Sequence, residues 1–170
     1  MNVEALLPML PLIGGWIDET LRAHASQSRP VTDFGFTRLR DFYSDDLLAR
    51  TKVVIVPKVP TPPLSALGLH QFGAFENGNY AGITFKDTYF VQISQARVES
   101  LHFHELVHIV QWAHLGAEHF LLAYAAGLME KGYRDSPLEA MAYELQGSFE
   151  RGDLRGNVEI VIRDRLDVEF

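Results

Sequence analysis

Leu101-His102-Phe103-His104-Glu105-Leu106-Val107-His108-Ile109-Val110-Gln111-Trp112 is the stretch from which the rest of the chain is read. It carries the pattern His-Glu-x-x-His in a segment that reads as helix. Side chains four apart share one helix face, so His104 and His108 can aim both imidazoles at a single ion. Glu105 is turned about 100° from His104, the rotation of one helical residue. It therefore stands beside that ion, placed to take a proton from an activated water. Leu101, Leu106, Val107, Ile109 and Val110 supply the apolar surface that buries the helix. Polar groups on so apolar a helix need partners, because burying them unpaired is costly. Three fixed positions also recur by chance, and a buried helix with two hydrogen-bonded histidines and a surface glutamate would read the same way.

Composition bounds what surrounds this helix. A chain of 170 residues is long enough for one sizeable core, and a single domain over 1–170 is expected. Its 47% hydrophobic and 22% charged content is that of an ordinary globular protein. Acidic residues outnumber basic ones 22 to 15, for a net charge of −7, and no Lys/Arg cluster is present. Nucleic acid is therefore not an expected partner. The chain has no cysteine, which excludes disulfides and thiolate-bound metal and leaves His, Asp and Glu as ligands. The apolar run Ala5–Ile17 follows Glu4 and is interrupted by Pro8 and Pro11. It lacks the basic start and small-residue cleavage site of a signal peptide and is too short to cross a bilayer. A packed segment leading into a helix, in a cytoplasmic protein, is the expectation.

Taken in order, Leu12 to about Ala25 reads as a helix with Trp16, Ile17 and Leu21 inward, followed by a loop over Ser26–Asp33. Phe34–Arg50 reads as one or two short helices, with Ser44 a candidate N-cap. Val53–Val56 is a β-branched strand stopped by Pro57, and Pro57, Pro60, Pro62 and Pro63 stiffen the loop that follows. Leu64–Asn79 is weakly patterned, with a turn signal at Asn77-Gly78-Asn79. Ala81–Phe85 and Thr88–Ile93 alternate around Lys86-Asp87 as a β-hairpin. The motif helix is expected to end near His114, with Leu115-Gly116 closing it. A second apolar helix runs from about Ala117 to Glu130. Ser136-Pro137-Leu138-Glu139 then has the form of a capping box opening a third. Val158–Ile162 reads as a last strand. The fold expected is α+β, a small mostly antiparallel sheet packed on the motif helix with further helices.

A catalytic zinc commonly has three protein ligands and one open position. Glu139 is one candidate for the third, although at its position in a capping box it already has structural work. His114 is another, because His104, His108 and His114 have the histidine spacing of HExxHxxGxxH zinc enzymes. That pattern needs glycine where this chain has Gln111, and on a straight helix His114 lies about 120° off the His108 face. His102, His119 and the other carboxylates complete the field, with His102 facing away from His104 and suited to a supporting role.

The block His104–His108 with Gln111, Phe120-Leu121, Tyr124, Gly132-Tyr133-Arg134 and Pro137–Tyr143 resembles a group of small bacterial proteins classed as zinc peptidases. These are similar to the gluzincins, the thermolysin-like clan, in reduced form. The resemblance covers about Gly82 to Phe149, and more loosely Asp41–Tyr43 and Leu47-Leu48. It implies a zincin-like fold, Zn²⁺ as cofactor, a peptide or protein substrate, and Glu139 as third ligand in its Pro-x-Glu-x-x-Ala setting. It also implies hydrolysis of a peptide bond by metal-activated water with Glu105 as general base. One departure is Tyr143, which stands where larger gluzincins have an aspartate that buttresses a metal-binding histidine. Tyr133, Tyr143, Tyr124 and His114 are candidate donors to the oxyanion. The hairpin is either the rim of a substrate cleft or a bare sheet edge. Two other classes stay open: a non-catalytic metal-binding or scaffold protein that keeps the HExxH helix, and a structural domain with core histidines.

Overall fold

The computed structural model describes residues 3–170, with side chains from Leu6 onward. A 3₁₀ turn, Val3–Met9, leads into helix α1 (Leu10–Ala23), where the proline in the first turn has no N–H of its own to satisfy. Ile13 and Ile17 are buried, and Trp16 meets Phe85 edge-on at 5.6 Å. A short α2 (Asp45–Arg50) is capped as its sequence suggests, with Leu47 N–H donating to Ser44 Oγ at 3.2 Å.

Four strands form one sheet: β1 (Arg29–Pro30), β2 (Lys52–Val56), β3 (Gly82–Phe85) and β4 (Thr88–Gln92). Their order is β1-β2-β4-β3. The β3–β4 hairpin is antiparallel and turns through Lys86, whose φ of 57° is left-handed. The expected mostly antiparallel sheet is instead mixed. Its central pair, β2 with β4, runs parallel from Lys52↔Thr88 to Val56↔Gln92. Periodicity reveals which residues alternate but not which distant strand they pair with, so this direction was not readable. The burial of Thr88, Tyr89, Phe90 and Val91 in succession fits a strand covered on both faces.

After β2 the proline-rich segment stays irregular, and the weakly patterned stretch beyond it forms turns and α3 (Gly73–Glu76). The long helix α4 (Glu99–Lys131) breaks at Gly116, with φ 74° and ψ 165°. Its two arms, 99–115 and 117–131, are the two helices expected from sequence. A second glycine fixes how α4 meets α5 (Pro137–Arg151): a Cβ on Gly127 would lie 2.7 Å from Ser136 Cβ.

The tail corrects an expectation. Val158–Ile162 is not a strand but the start of helix α6 (Val158–Glu169). Val158, Ile162 and Leu166 are buried at four-residue spacing, while Ile160 is 57% and Val161 38% exposed. Asn157 sets the start by accepting the Glu159 N–H at 2.8 Å. None of the described helices is long and apolar enough to cross a membrane.

Candidate metal centre

His104 and His108, from the first arm of α4, meet Glu139 from the first turn of α5. One potential ligand atom from each lies within 4.8 Å of the others. The two imidazole Nε2 atoms are 3.1 Å apart, and Glu139 places Oε2 3.4 Å from His104 Nε2 and Oε1 3.5 Å from His108 Nε2. Donor atoms 2.0–2.1 Å from a zinc at tetrahedral angles stand about 3.3 Å apart, so these separations fit a common ion. All three residues are buried, at 4, 5 and 2% exposure. The expected capping box is absent. Ser136 gives its hydroxyl to Tyr133 O at 2.9 Å, and the Glu139 carboxylate turns to the histidines instead.

The neighbours of the imidazoles decide where their lone pairs point. Gln111 donates through Nε2 to Leu138 O at 3.0 Å, so its Oε1 faces His108 Nδ1 at 2.7 Å. Gln146 donates through Nε2 to Glu150 Oε1 at 3.0 Å, so its Oε1 faces His104 Nδ1, also at 3.0 Å. An amide oxygen only accepts, which makes both Nδ1 atoms the N–H donors. Two bare Nε2 lone pairs and a carboxylate then converge. Among the described residues, Glu139 Oε2 is buried with no hydrogen-bond donor. Such a trio attracts positive charge.

The electrostatics agree. Burial opposes a charge on His108, but the Glu139 carboxylate beside it outweighs that and lifts its pKa to about 9. Burial pushes Glu139 up, yet His108 and His104 beside it hold it well below the usual carboxylate range. The cluster thus attracts either a proton or a cation, and a bound metal would displace the proton. Nitrogen and carboxylate donors without sulfur suit a first-row divalent ion, zinc among them.

Glu105 is buried beside this trio and outside it. Thr84 Oγ1 donates to its Oε2 at 2.7 Å, and Trp112 Nε1 anchors the same strand through Thr84 O at 3.2 Å. Burial raises the Glu105 pKa against the pull of His104, His108 and the Thr84 hydroxyl. Gly82 makes this position available, since a Cβ there would sit 2.3 Å from Glu105 Oε1. Neither Gly82 nor Gln146 was singled out by sequence. A glycine opening a strand has no mark of its own, and Gln146 is recognisable only as the residue two turns after Glu139.

Tyr133 and Tyr143 line an open cleft of about 520 Å³ together with His104, Glu105 and Gln146. Tyr143 lies 4.6 Å from the His104 ring, centroid to centroid, under the Arg134 guanidinium at 4.5 Å. Burial keeps both tyrosines protonated, with Glu139 adding to the effect, and Tyr133 hydrogen-bonds to Tyr143. Tyr124 donates to Glu139 Oε1 at 2.6 Å. The side chain behind the His104 imidazole is Gln146, while Tyr143 meets that ring by its own ring. His114 lies outside the trio, 2.7 Å from Asp167 on α6, and His119 is exposed. His102 is a core group, accepting from Tyr89 at Nδ1 (2.8 Å) and donating to Ala96 O at 3.1 Å. No protein-family model, curated protein or solved structure matches this chain, so the site's geometry alone bears on its function.

Proposed function

We propose that the chain is a zinc-dependent peptidase, a reduced gluzincin-like domain in which His104, His108 and Glu139 hold the ion. The observation that carries this reading is the convergence of two bare Nε2 atoms and an unpartnered buried carboxylate oxygen at separations of 3.1 to 3.5 Å. Zinc, when bound, supplies Lewis acidity, acidifying water and polarising a carbonyl.

The rest falls to the protein. Gln111 and Gln146 accept from the two Nδ1 atoms, which leaves both Nε2 atoms facing the ion. Glu105, held through one oxygen by Thr84, takes the proton from the attacking water and returns it to the departing amine. Its raised pKa brings the carboxylate nearer to neutral pH, where it can work in both directions. Tyr133 and Tyr143 are protonated donors on the cleft side and serve a developing oxyanion. Extended substrate lies along the exposed side of β3, the edge strand that carries Gly82 and Thr84.

The test begins with metal analysis of protein purified without a nickel column, which should find about one zinc per chain. Glu105→Gln should keep the zinc and lose hydrolysis of a peptide library. Equal, negligible cleavage by wild type and variant would leave a metal-binding scaffold. Absence of zinc from protein grown with the ion supplied would remove the reading altogether.

A further inference from the structure

Two apolar cavities, each of about 70 Å³, lie side by side behind the metal centre. The inner one reaches Glu105, His108 and Glu139. The outer one lies toward Leu10 of α1 and Leu128 on the second arm of α4. Ile13, Pro62, Phe75, Leu121 and Tyr124 line both. Four of these side chains carry no polar atom, and Pro62 has no N–H. The fifth, Tyr124, has given its hydroxyl to Glu139 at 2.6 Å and shows the cavities only its ring. An ordered buried water needs two to four polar partners, which this shared wall does not offer. Interiors are packed with few voids larger than a water molecule, so a pair of adjoining cavities with an apolar shared wall, the inner one ending at His108 and Glu139, is a shaped space.

We propose that the two cavities form one passage that takes an unbranched aliphatic chain of the substrate, entering from the metal centre and ending near Leu128. This places a straight-chain group next to the bond that reacts. The role in substrate choice rests on the peptidase reading; the passage itself does not. A side chain of ordinary size fills the inner cavity alone, whereas a straight chain extends past Ile13 and Leu121 into the outer one.

Straight-chain alcohols from ethanol to octanol, titrated into the full chain by calorimetry, test the passage without needing metal. Affinity should rise about fourfold per methylene until the passage is full and then level off. Leu121→Trp, which fills the shared wall, should stop the rise after the first few carbons. Ala125→Leu narrows only the outer cavity and should end the rise at an intermediate length, which keeps the test alive if the tryptophan variant does not fold. A flat series in wild type, or an unchanged series in both variants, overturns the proposal. Binding of acetohydroxamate, a short metal-chelating group, reports on the zinc centre separately. Its failure with a rising alcohol series would strike the metal reading and leave the passage standing.

Discussion

A methyl group at Gly82 has nowhere to go except into the Glu105 carboxylate, 2.3 Å away. The carboxylate is the movable partner, but Thr84 and its own burial hold it in place. Gly82→Ala should therefore retain zinc and lower kcat about a hundredfold with little change in KM, the penalty expected for a base displaced by about an ångström. Steady-state kinetics beside metal analysis checks this; unchanged kcat would mean that Glu105 has room to spare. His102 gives a second prediction. Burial lowers its pKa to about 4 from an ordinary 6.5. The folded state therefore resists a proton that the unfolded chain accepts, and stability present above pH 6.5 is lost as pH falls toward 4. The loss amounts to up to about 3 kcal/mol, and it should shrink in His102→Gln when denaturant midpoints are compared across that range. At this scale the sequence was informative where chemistry fixes spacing. The shared face of His104 and His108 follows from helical geometry, and the fold adds Glu139 to them in a group that could hold a metal ion. Gln146 and the bond that Gln111 makes behind His108 were not legible, because a neutral amide carries no signal until its neighbours are known.

Among the elements, α4 depends most on a single backbone angle. Gly116 has φ 74° and ψ 165°, a region that residues with a Cβ rarely occupy. Gly116→Ala should cost about 1 to 3 kcal/mol in denaturant unfolding with an unchanged slope. Because the break sets the direction of the second arm, it should also loosen the Tyr124–Glu139 contact. A variant as stable as wild type would show that the break is imposed by packing. The Leu115-Gly116 stop was readable, since glycine is a strong local punctuator. Ser136-Pro137-Leu138-Glu139 opened a helix as expected, but the carboxylate that a capping box would use was drawn to the histidines. The tail was misread because Val158–Ile162 is rich in β-branched residues and short enough to suit either period. Its helix is selected by Asn157, and Glu159 joins it to Ser44 N–H at 2.8 Å while pairing with Arg163 one turn along the same helix at 2.9 Å.

For the molecule as a whole, a metal bound only by the folded trio acts as a stabilising ligand. With free zinc at a hundredfold its Kd, linkage contributes about 2.7 kcal/mol, or about 5 to 10 °C in Tm for a chain of this size. Chelation should lower Tm by that order, and Glu139→Ala should abolish the response; identical melting with and without chelator in wild type would sink the metal assignment. The α+β class was legible from the hairpin and the helical periods. The parallel pairing of β2 with β4 was not, because it joins segments distant in the chain and is settled by the path between them. Trp112 adds a practical consequence. Its indole is buried, stacked on Phe120 at 4.1 Å, and borders the cavity that reaches His108. The chain has only one other indole, Trp16, over on α1 against Phe85. Whatever enters that cavity must change the surroundings of a native fluorophore, so ligand entry can be followed by its emission with no label attached.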